Sequence, residues 1–201
     1  VKGATDKGMI TYIKHFALNN QETNRTNGVA TWATEQSIRE IYLKAFEGSI
    51  KEGGSLAVMT AFNSVGPVWA GSNTALLQSV LRDEWSFHGI TLTDAIDPSA
   101  EFYMDLNRGI RTGLTQGLRM TNGDGLITDT DSATTVQALR FAAHENLYAA
   151  ANSSAMNVET GTPTWVKILY AVDALVIGLV LLAEFFAIRK YRRDAASVEI
   201  D

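Results

Sequence analysis

The chain has 201 residues, of which 46% are apolar and 19% are charged, and its formal net charge is −5. This composition excludes a disordered polyelectrolyte, and because no basic stripe with interleaved aromatic residues is present, nucleic acid is not an expected partner. Since the chain has no cysteine, it can form neither a disulfide nor a thiolate metal site, and no motif predicts a cofactor or another kind of metal site.

Along residues 1–157, short continuous apolar runs alternate with longer stretches that repeat apolar residues at helical spacing. The short runs predict strands, and these lie at 10–18, 55–62, 90–93 and 117–120. The periodic stretches predict helices with one buried face, and these lie at 35–52, 75–85, 99–112 and 133–151. Thr34 and Ser132 precede two of these helices and are suited to cap them.

This alternation predicts an α/β fold with about four βα units and a parallel sheet. The continuous apolar character of the strands favours burial on both faces. Four units can form a small doubly wound sheet or half of a (β/α)8 TIM-type barrel, since a full barrel normally needs about 250 residues. In both arrangements the functional side chains lie where the strands end and the following loops begin.

Polar residues stand at these predicted strand ends. Lys14 and His15 lie at the end of the first strand, Asn63 follows the second, and Asp94 ends the third. A carboxylate such as Asp94 can attack an electrophilic carbon, and nearby positive charge keeps it ionised. Lys14 and His15 offer hydrogen-bond donors to hydroxyl groups. The set suits a hydroxyl-rich ligand with an anomeric carbon.

An apolar stretch near the C-terminus, at 168–188, contains two charged residues. A membrane span needs about 20 mostly apolar residues, so the sequence predicts a single transmembrane helix over 167–189, with a linker at 158–166. A buried amphipathic helix of a soluble domain is the alternative interpretation.

The flanks of this segment predict its orientation. Trp165 and Tyr170 suit one membrane interface, and basic residues follow at the other, namely Arg189, Lys190, Arg192 and Arg193. Excess Lys and Arg marks the cytoplasmic side, so we expect a single-pass protein of the cell membrane, with the tail 190–201 inside and 1–166 outside. An outside-facing region needs an export signal, and none is visible in the sequence, so we expect the chain to be the C-terminal piece of a longer protein.

Two acidic residues interrupt the apolar segment. Asp173 and Glu184 are separated so that they share one helical stripe with Ile177 and Val180. They are interpreted either as acids near the two membrane interfaces or as a polar face that contacts another membrane helix.

Four motifs occur in order over residues 10–94: "KHFALNNQETNR", "REIYLKAFEGSIKEG", "AVMTAFNSVG" and "AGSNTALLQSVLRDEWSFHGITLTD". Together they resemble glycoside hydrolase family 3, the β-glucosidase family. The resemblance implies a (β/α)8 barrel with a separate α/β sandwich domain, and a retaining mechanism on β-linked glucose, xylose or similar sugars through a covalent glycosyl intermediate. Residues 138–157 are similar to the end of members with reversed domain order, in which the barrel comes last.

Carried over to this sequence, the resemblance assigns Asp94 as the catalytic nucleophile and Lys14 and His15 as the pair that binds sugar hydroxyls. Two positions depart from the family pattern. Phe62 stands where the family often has a tyrosine whose hydroxyl lies near the nucleophile, and Ala95 stands where a tryptophan often follows it. These departures affect the wall of the sugar pocket.

Two further residues are candidates for substrate binding. Arg25 can reach the strand ends or serve in a structural ion pair, and Trp69 can stack on a sugar or pack in its loop.

In this family the acid/base residue comes from outside the barrel. No glutamate of this chain matches it, and Glu22 and Asp97 are the nearest candidates by position. The resemblance therefore implies that 1–157 is a partial barrel, that the acid/base lies upstream, and that the isolated chain does not turn over. A catalytically silent, membrane-anchored sugar-binding or envelope protein is the alternative, and a truncated product without independent function is a third.

Overall fold

The computed structural model describes most of the chain as two compact units, Val1–Asn157 and Val158–Asp201. The described residues are 1–96, 103–115, 127, 129–157 and 161–198. The predicted strand at 117–120 and the candidate acid Asp97 lie outside these residues.

The first unit contains two sheets. The strands of the described residues are β1 (Tyr12–Phe16), β2 (Ala30–Thr31), β3 (Ala57–Thr60), β4 (Ser64–Val65), β5 (Val68–Trp69), β6 (Ile90–Leu92) and β7 (Leu114–Thr115). The main sheet has the order β1-β3-β6-β7, and all of its strand pairs are parallel. The predicted parallel sheet is confirmed for its first three strands, and its fourth described strand is β7.

The strands of the main sheet stand side by side in the order in which they occur along the chain. Their register pairs Val58 with Thr91 and Leu92 with Thr115. Val58 and Thr91 are fully buried, as expected for strands covered on both faces. Because the strands are parallel, their C-terminal ends meet at one edge of the sheet.

The small sheet has the order β2-β4-β5 and continues from the end of β3. Its β4–β5 turn contains Gly66, whose φ of +61° is a left-handed conformation that glycine adopts readily. The buried Asn63 amide donates to the Ala17 carbonyl at 3.2 Å and to the Thr31 hydroxyl at 3.3 Å. These bonds tie the small sheet to the residues that follow β1 and β3.

Helices connect the strands of the main sheet. The α-helices of the described residues are α1 (Lys2–Thr5), α2 (Glu35–Ser37), α3 (Lys44–Lys51), α4 (Leu106–Gly109), α5 (Ala133–Ala151) and α6 (Thr164–Val198). Hydrogen bonding is of the π type at Ile38–Tyr42 and Ala75–Glu84, and short 3-10 turns lie at Arg25–Asn27, Ala70–Ser72, Ile110–Thr112 and Ser154–Asn157.

Side-chain caps define three helix starts. Thr34 accepts a hydrogen bond from the Ser37 amide, and Ser132 accepts one from the Thr135 amide, so both predicted caps are confirmed. Asp105 caps α4 by accepting from the Arg108 amide. Within the described residues, the helix predicted at 99–112 therefore begins at Leu106, because Asp105 has a non-helical backbone conformation and serves as its N-cap.

The largest core cluster lies between the main sheet and the helices that follow β1 and β3. The Phe16 ring makes edge contacts with Phe46, at a centroid distance of 5.1 Å, and with Trp85, at 6.0 Å. Leu77 and Leu81 of the Ala75–Glu84 helix are fully buried in the same cluster. This packing holds the strand ends at fixed positions.

The second unit is dominated by α6. Its segment Thr164–Arg193 has a mean hydropathy of 2.3 in its most apolar window and is long and apolar enough to cross a membrane. The side chains of Leu175, Ile177 and Leu182 are more than half exposed. The predicted span 167–189 lies within this helix.

Candidate active site

Asp94 and His15 meet at the C-terminal edge of the main sheet. His15 lies in β1, Asp94 follows β6, and His15 Nε2 is 3.1 Å from Asp94 Oδ2. The side chains of His15 and Asp94 are 21% and 17% exposed, so the pair is partly shielded but open to a ligand. The other carboxylate oxygen, Asp94 Oδ1, accepts a hydrogen bond of 2.7 Å from the Ala95 amide.

The backbone of β1 is irregular where it presents His15. Its register against β3 shifts between Ile13 and Phe16, and the Lys14–His15 and Phe16–Ala17 peptide bonds are cis. Phe16 beyond His15 is fully buried, whereas Lys14 before it is exposed.

Arg25 joins the same site from the loop after β1. Its Nη1 lies 3.9 Å from Asp94 Oδ2, and its Nε lies 2.8 Å from Glu22 Oε2. The guanidinium also sits over the Phe62 ring, 4.7 Å from the ring centroid, which is the distance range of a cation–π contact. Arg25 therefore forms an ion pair and also lies beside Asp94, and its part in substrate binding stays a prediction.

Burial is the main influence on His15. It lowers the pKa of His15, the Asp94 carboxylate opposes this by raising the pKa, and Lys14 and Arg25 lower it further. The net effect favours the neutral imidazole. A neutral ring facing a carboxylate carries its proton on Nε2, because a carboxylate can only accept. His15 can then donate to Asp94 Oδ2 or, when a ligand binds, to a ligand oxygen.

Tyr103 supports Arg25 from the other side of the loop. Its hydroxyl donates to the Arg25 carbonyl at 3.2 Å, and burial raises the pKa of Tyr103 to about 12. Residue periodicity does not predict this contact, because Tyr103 falls in a stretch that the periodicity predicts to be helical.

Lys14 is placed differently from His15. It lines a cleft of about 290 Å³ together with Asn19, Tyr42 and Phe46, and His15 also borders this cleft. His15 therefore lies between this cleft and Asp94. Of the site residues that the sequence predicts, four lie together, namely His15, Arg25, Phe62 and Asp94. Lys14 precedes His15 in the chain and lines the neighbouring cleft.

Trp69 does not offer a ring face to this site. Its side chain is only 2% exposed, and its indole N–H donates to the Ala61 carbonyl at 3.0 Å. It packs in a core cluster with Phe62 and Leu114. The geometry gives no support to sugar stacking by Trp69 and matches the alternative of packing within the fold.

Residues 1–121 match the sequence profile described as "Glycosyl hydrolase family 3 N terminal domain". The chain is 49% identical over 94 residues to Beta-glucosidase B of Emericella nidulans, which covers 47% of this chain and 11% of that protein. It is 43% identical over 94 residues to an Exo-alpha-(1->6)-L-arabinopyranosidase of Bifidobacterium longum, which covers 47% of this chain and 12% of that protein. The chain thus matches only a small part of the length of these relatives.

Solved structures of beta-glucosidases are similar to this chain in fold. The Bifidobacterium adolescentis GH3 beta-glucosidase superposes with a TM-score of 0.64 and 29% identity, over 80% of this chain and 23% of that chain. Beta-glucosidase 3B from Thermotoga neapolitana, in complex with alpha-D-glucose, superposes with a TM-score of 0.61 and 28% identity, over 78% of this chain and 23% of that chain. With its profile match extending over more than half of its residues, the chain belongs to glycoside hydrolase family 3.

Proposed function

We propose that this chain carries the nucleophile half of the active site of a retaining, β-glucosidase-like glycoside hydrolase. The observation that carries the proposal is the position of Asp94. It lies at the C-terminal edge of a parallel sheet, 3.1 Å from His15 and 3.9 Å from Arg25. The similarity to beta-glucosidases and to arabinopyranosidases supports a glycoside as the substrate class.

In this mechanism, Asp94 Oδ2 attacks the anomeric carbon of a terminal β-linked glucose or similar sugar. A carbon–oxygen bond to Asp94 forms as the bond to the leaving oxygen breaks, and the leaving oxygen keeps the electron pair and takes a proton from the acid/base residue. Water, deprotonated by the same acid/base residue, then cleaves the glycosyl ester. His15 and Arg25, which lie beside Asp94, and Lys14 in the neighbouring cleft are proposed to bind hydroxyl groups of the sugar.

The acid/base residue is proposed to lie outside this chain. Retaining glycosidases place their two carboxyl groups about 5–5.5 Å apart. Glu22 is engaged by Arg25 in an ion pair of 2.8 Å, so its carboxylate already serves as an acceptor rather than as a proton donor. We therefore expect the isolated chain to form the glycosyl ester only with substrates that need no acid.

The main sheet supports the proposal of a half-barrel. A doubly wound sheet reverses its strand order at one point, whereas the order β1-β3-β6-β7 follows the chain throughout the described strands. We place residues 1–157 as the second half of a (β/α)8 barrel, in a member of the family with its barrel last.

The long helix α6 is proposed as a single-pass membrane anchor. Its apolar segment and the basic residues at its end, Arg189 and Lys190, favour a cytoplasmic C-terminus and an extracellular sugar site. Asp173 and Glu184 are proposed to face another membrane helix. Protease digestion of intact cells tests this orientation, because only residues 1–166 should then be cleaved.

The decisive experiment uses a sugar whose leaving group needs no acid. The chain is treated with 2-deoxy-2-fluoroglucosyl fluoride, digested and analysed by mass spectrometry. A label on the peptide that contains Asp94, absent after Asp94→Asn, is expected. A label on another residue, or none with either the glucosyl or the xylosyl reagent, contradicts the proposal.

A sugar-binding protein without turnover is the second candidate. Phe62 favours it, because this ring lies under Arg25 and has no hydroxyl to donate to the nucleophile. Sugar binding without any label would assign this function instead.

A further inference from the structure

We infer that Glu22 is a positioning residue that holds Arg25 back from Asp94 and so keeps the nucleophile's oxygen available for attack. This inference rests on the proposed function of Asp94. It assigns a role to a glutamate whose side chain is 72% exposed and which the motif alone does not connect with the nucleophile.

The position of Arg25 between two carboxylates is the first argument. Its Nε pairs with Glu22 at 2.8 Å, while its Nη1 stays 3.9 Å from Asp94. A charge-assisted hydrogen bond between a guanidinium and a carboxylate is about 2.7–2.9 Å long, so the contact with Asp94 is electrostatic without being a hydrogen bond. The guanidinium therefore forms its close ion pair with Glu22, and it forms no hydrogen bond with Asp94 Oδ2.

Additional contacts hold Arg25 in this position. The Arg25 Cζ lies over the Phe62 ring at 4.7 Å from its centroid, and the Tyr103 hydroxyl donates to the Arg25 carbonyl at 3.2 Å. Glu22 is itself held, because Asn19 donates to its other carboxylate oxygen at 3.4 Å. The ring supports the guanidinium from one side, and Glu22 engages its Nε.

Loss of Glu22 changes the partner of Arg25. With Nε released, the guanidinium can turn on the Phe62 face and close the remaining distance to Asp94. A direct ion pair then occupies the oxygen that must attack the sugar and competes with His15, which contacts the same oxygen. Glu22→Gln is therefore expected to slow attack, although Glu22 does not touch the reacting atoms.

A double-mutant cycle on the full chain tests this. Wild type, Glu22→Gln, Arg25→Gln and the double variant are treated with 2-deoxy-2-fluoroglucosyl fluoride, and the labelling rate is separated from the binding constant of the reagent. We expect Glu22→Gln to slow the labelling rate about tenfold when Arg25 is present and to have no effect in the Arg25→Gln background, a coupling typical of contacting residues. Glu52→Gln is the control, because Glu52 is an exposed residue that directly follows α3 and precedes the start of β3.

The His15 titration, followed by NMR with His88 and His144 as internal references, reports on the same cycle without any reaction. Closure of Arg25 onto Asp94 lowers the pKa of His15. Because the Glu22 charge itself raises this pKa, its loss lowers the pKa of His15 in both backgrounds, and Glu22→Gln should lower it further only when Arg25 is present. Lys14, which also lowers the pKa of His15, is not mutated in any of the four variants. An equal effect of Glu22→Gln in both backgrounds, in labelling or in titration, overturns the inference. If wild type is not labelled at all, the proposed function fails, and the titration alone decides the role of Glu22.

Discussion

Arg82 and Glu145 form an ion pair of 2.8 Å that is almost completely buried, at the end of the main sheet opposite Asp94. Glu145 lies on α5 and also accepts a 2.8 Å hydrogen bond from the amide of Gly89, the residue before β6. Arg82 donates in addition to the carbonyls of Thr112 and Gly89. The pair therefore connects α5 with the starts of β6 and β7, which supports the sheet from below the site.

Removal of one partner of this pair should be strongly destabilising. We expect Glu145→Ala to lower the free energy of unfolding by about 3–5 kcal/mol, because it leaves the Arg82 charge buried and unpaired. Urea denaturation monitored by circular dichroism measures the loss. Glu84→Ala is the matched control, since its ion pair with Arg39 is exposed to solvent and should contribute much less. Equal losses in the two variants would contradict the buried role.

The same pair predicts a dependence of stability on pH. Burial acts to raise the pKa of Glu145, but the Gly89 hydrogen bond and the Arg82 charge outweigh it and hold this pKa below its usual value of 4.5. A carboxyl group with a depressed folded-state pKa stabilises the fold above its unfolded-state pKa and loses this contribution as pH falls through the folded-state pKa. The stability difference between wild type and Glu145→Gln should therefore be constant from pH 7 to about 5 and shrink at lower pH. A difference that does not change down to about pH 3 would show that Glu145 does not titrate in this way.

The burial of Trp69 predicts that its substitution affects stability rather than sugar binding. Trp69→Phe removes the indole hydrogen bond to Ala61 and is expected to cost about 1–3 kcal/mol, because the carbonyl is left unsatisfied. The dissociation constant for glucose, measured by calorimetry, should change by no more than about twofold, because the buried Trp69 ring offers no face to the sugar. A large loss of affinity with unchanged stability would instead support stacking.

The Phe62 ring predicts a gain of function. Phe62→Tyr adds the hydroxyl that the family pattern often has at this position, and a hydrogen bond to the nucleophile region contributes about 0.5–1.5 kcal/mol. We expect labelling by the fluoroglucosyl reagent to become about threefold faster, a change within that range. Phe141→Tyr, beside Arg82 at the opposite end of the main sheet, serves as the control for adding a hydroxyl elsewhere. No change in rate would show that the Phe62 position has no influence on Asp94.

If α6 spans a membrane, a charge near its centre should reduce its insertion. Leu179→Arg should reduce membrane insertion, because an arginine near the centre of a span costs about 2.5–3.5 kcal/mol on insertion scales. Extraction of membranes at alkaline pH should release the variant and retain both wild type and Leu179→Ile. Retention of the arginine variant would contradict a membrane-spanning role.

Much of the fold follows from local patterns. Apolar runs predict β1, β3 and β6, and the caps at Thr34 and Ser132 predict where two helices begin, because both signals depend on residues close together in the chain. The start of α4 was missed, because Asp105 acts as a cap inside a stretch whose apolar spacing is helical. The π-type hydrogen bonding at Ile38–Tyr42 was also missed, since the apolar pattern there is that of an ordinary helix.

The site was predictable only in part. Asp94 and His15 stand at strand ends, so a parallel sheet is enough to bring them to one edge. The contacts of Arg25 with Phe62 and Tyr103 depend on the course of two loops, and loop conformation leaves little trace in residue periodicity. Trp69 shows the same limit, because an aromatic residue after a strand can face inward or outward.

His15 lies in β1 and Asp94 follows β6, and β3 lies between these two strands. Their contact therefore forms only when three strands from distant parts of the chain have paired, which is the kind of non-local contact that slows folding. Successive side chains of a strand point to opposite faces, so a slip of β1 by one residue would exchange His15 for Lys14 or Phe16 at this place. Labelling of Asp94 by the fluoroglucosyl reagent would thus also report on correct strand pairing. A molecule with β1 in the wrong register would not be labelled, although every side chain of the site is present.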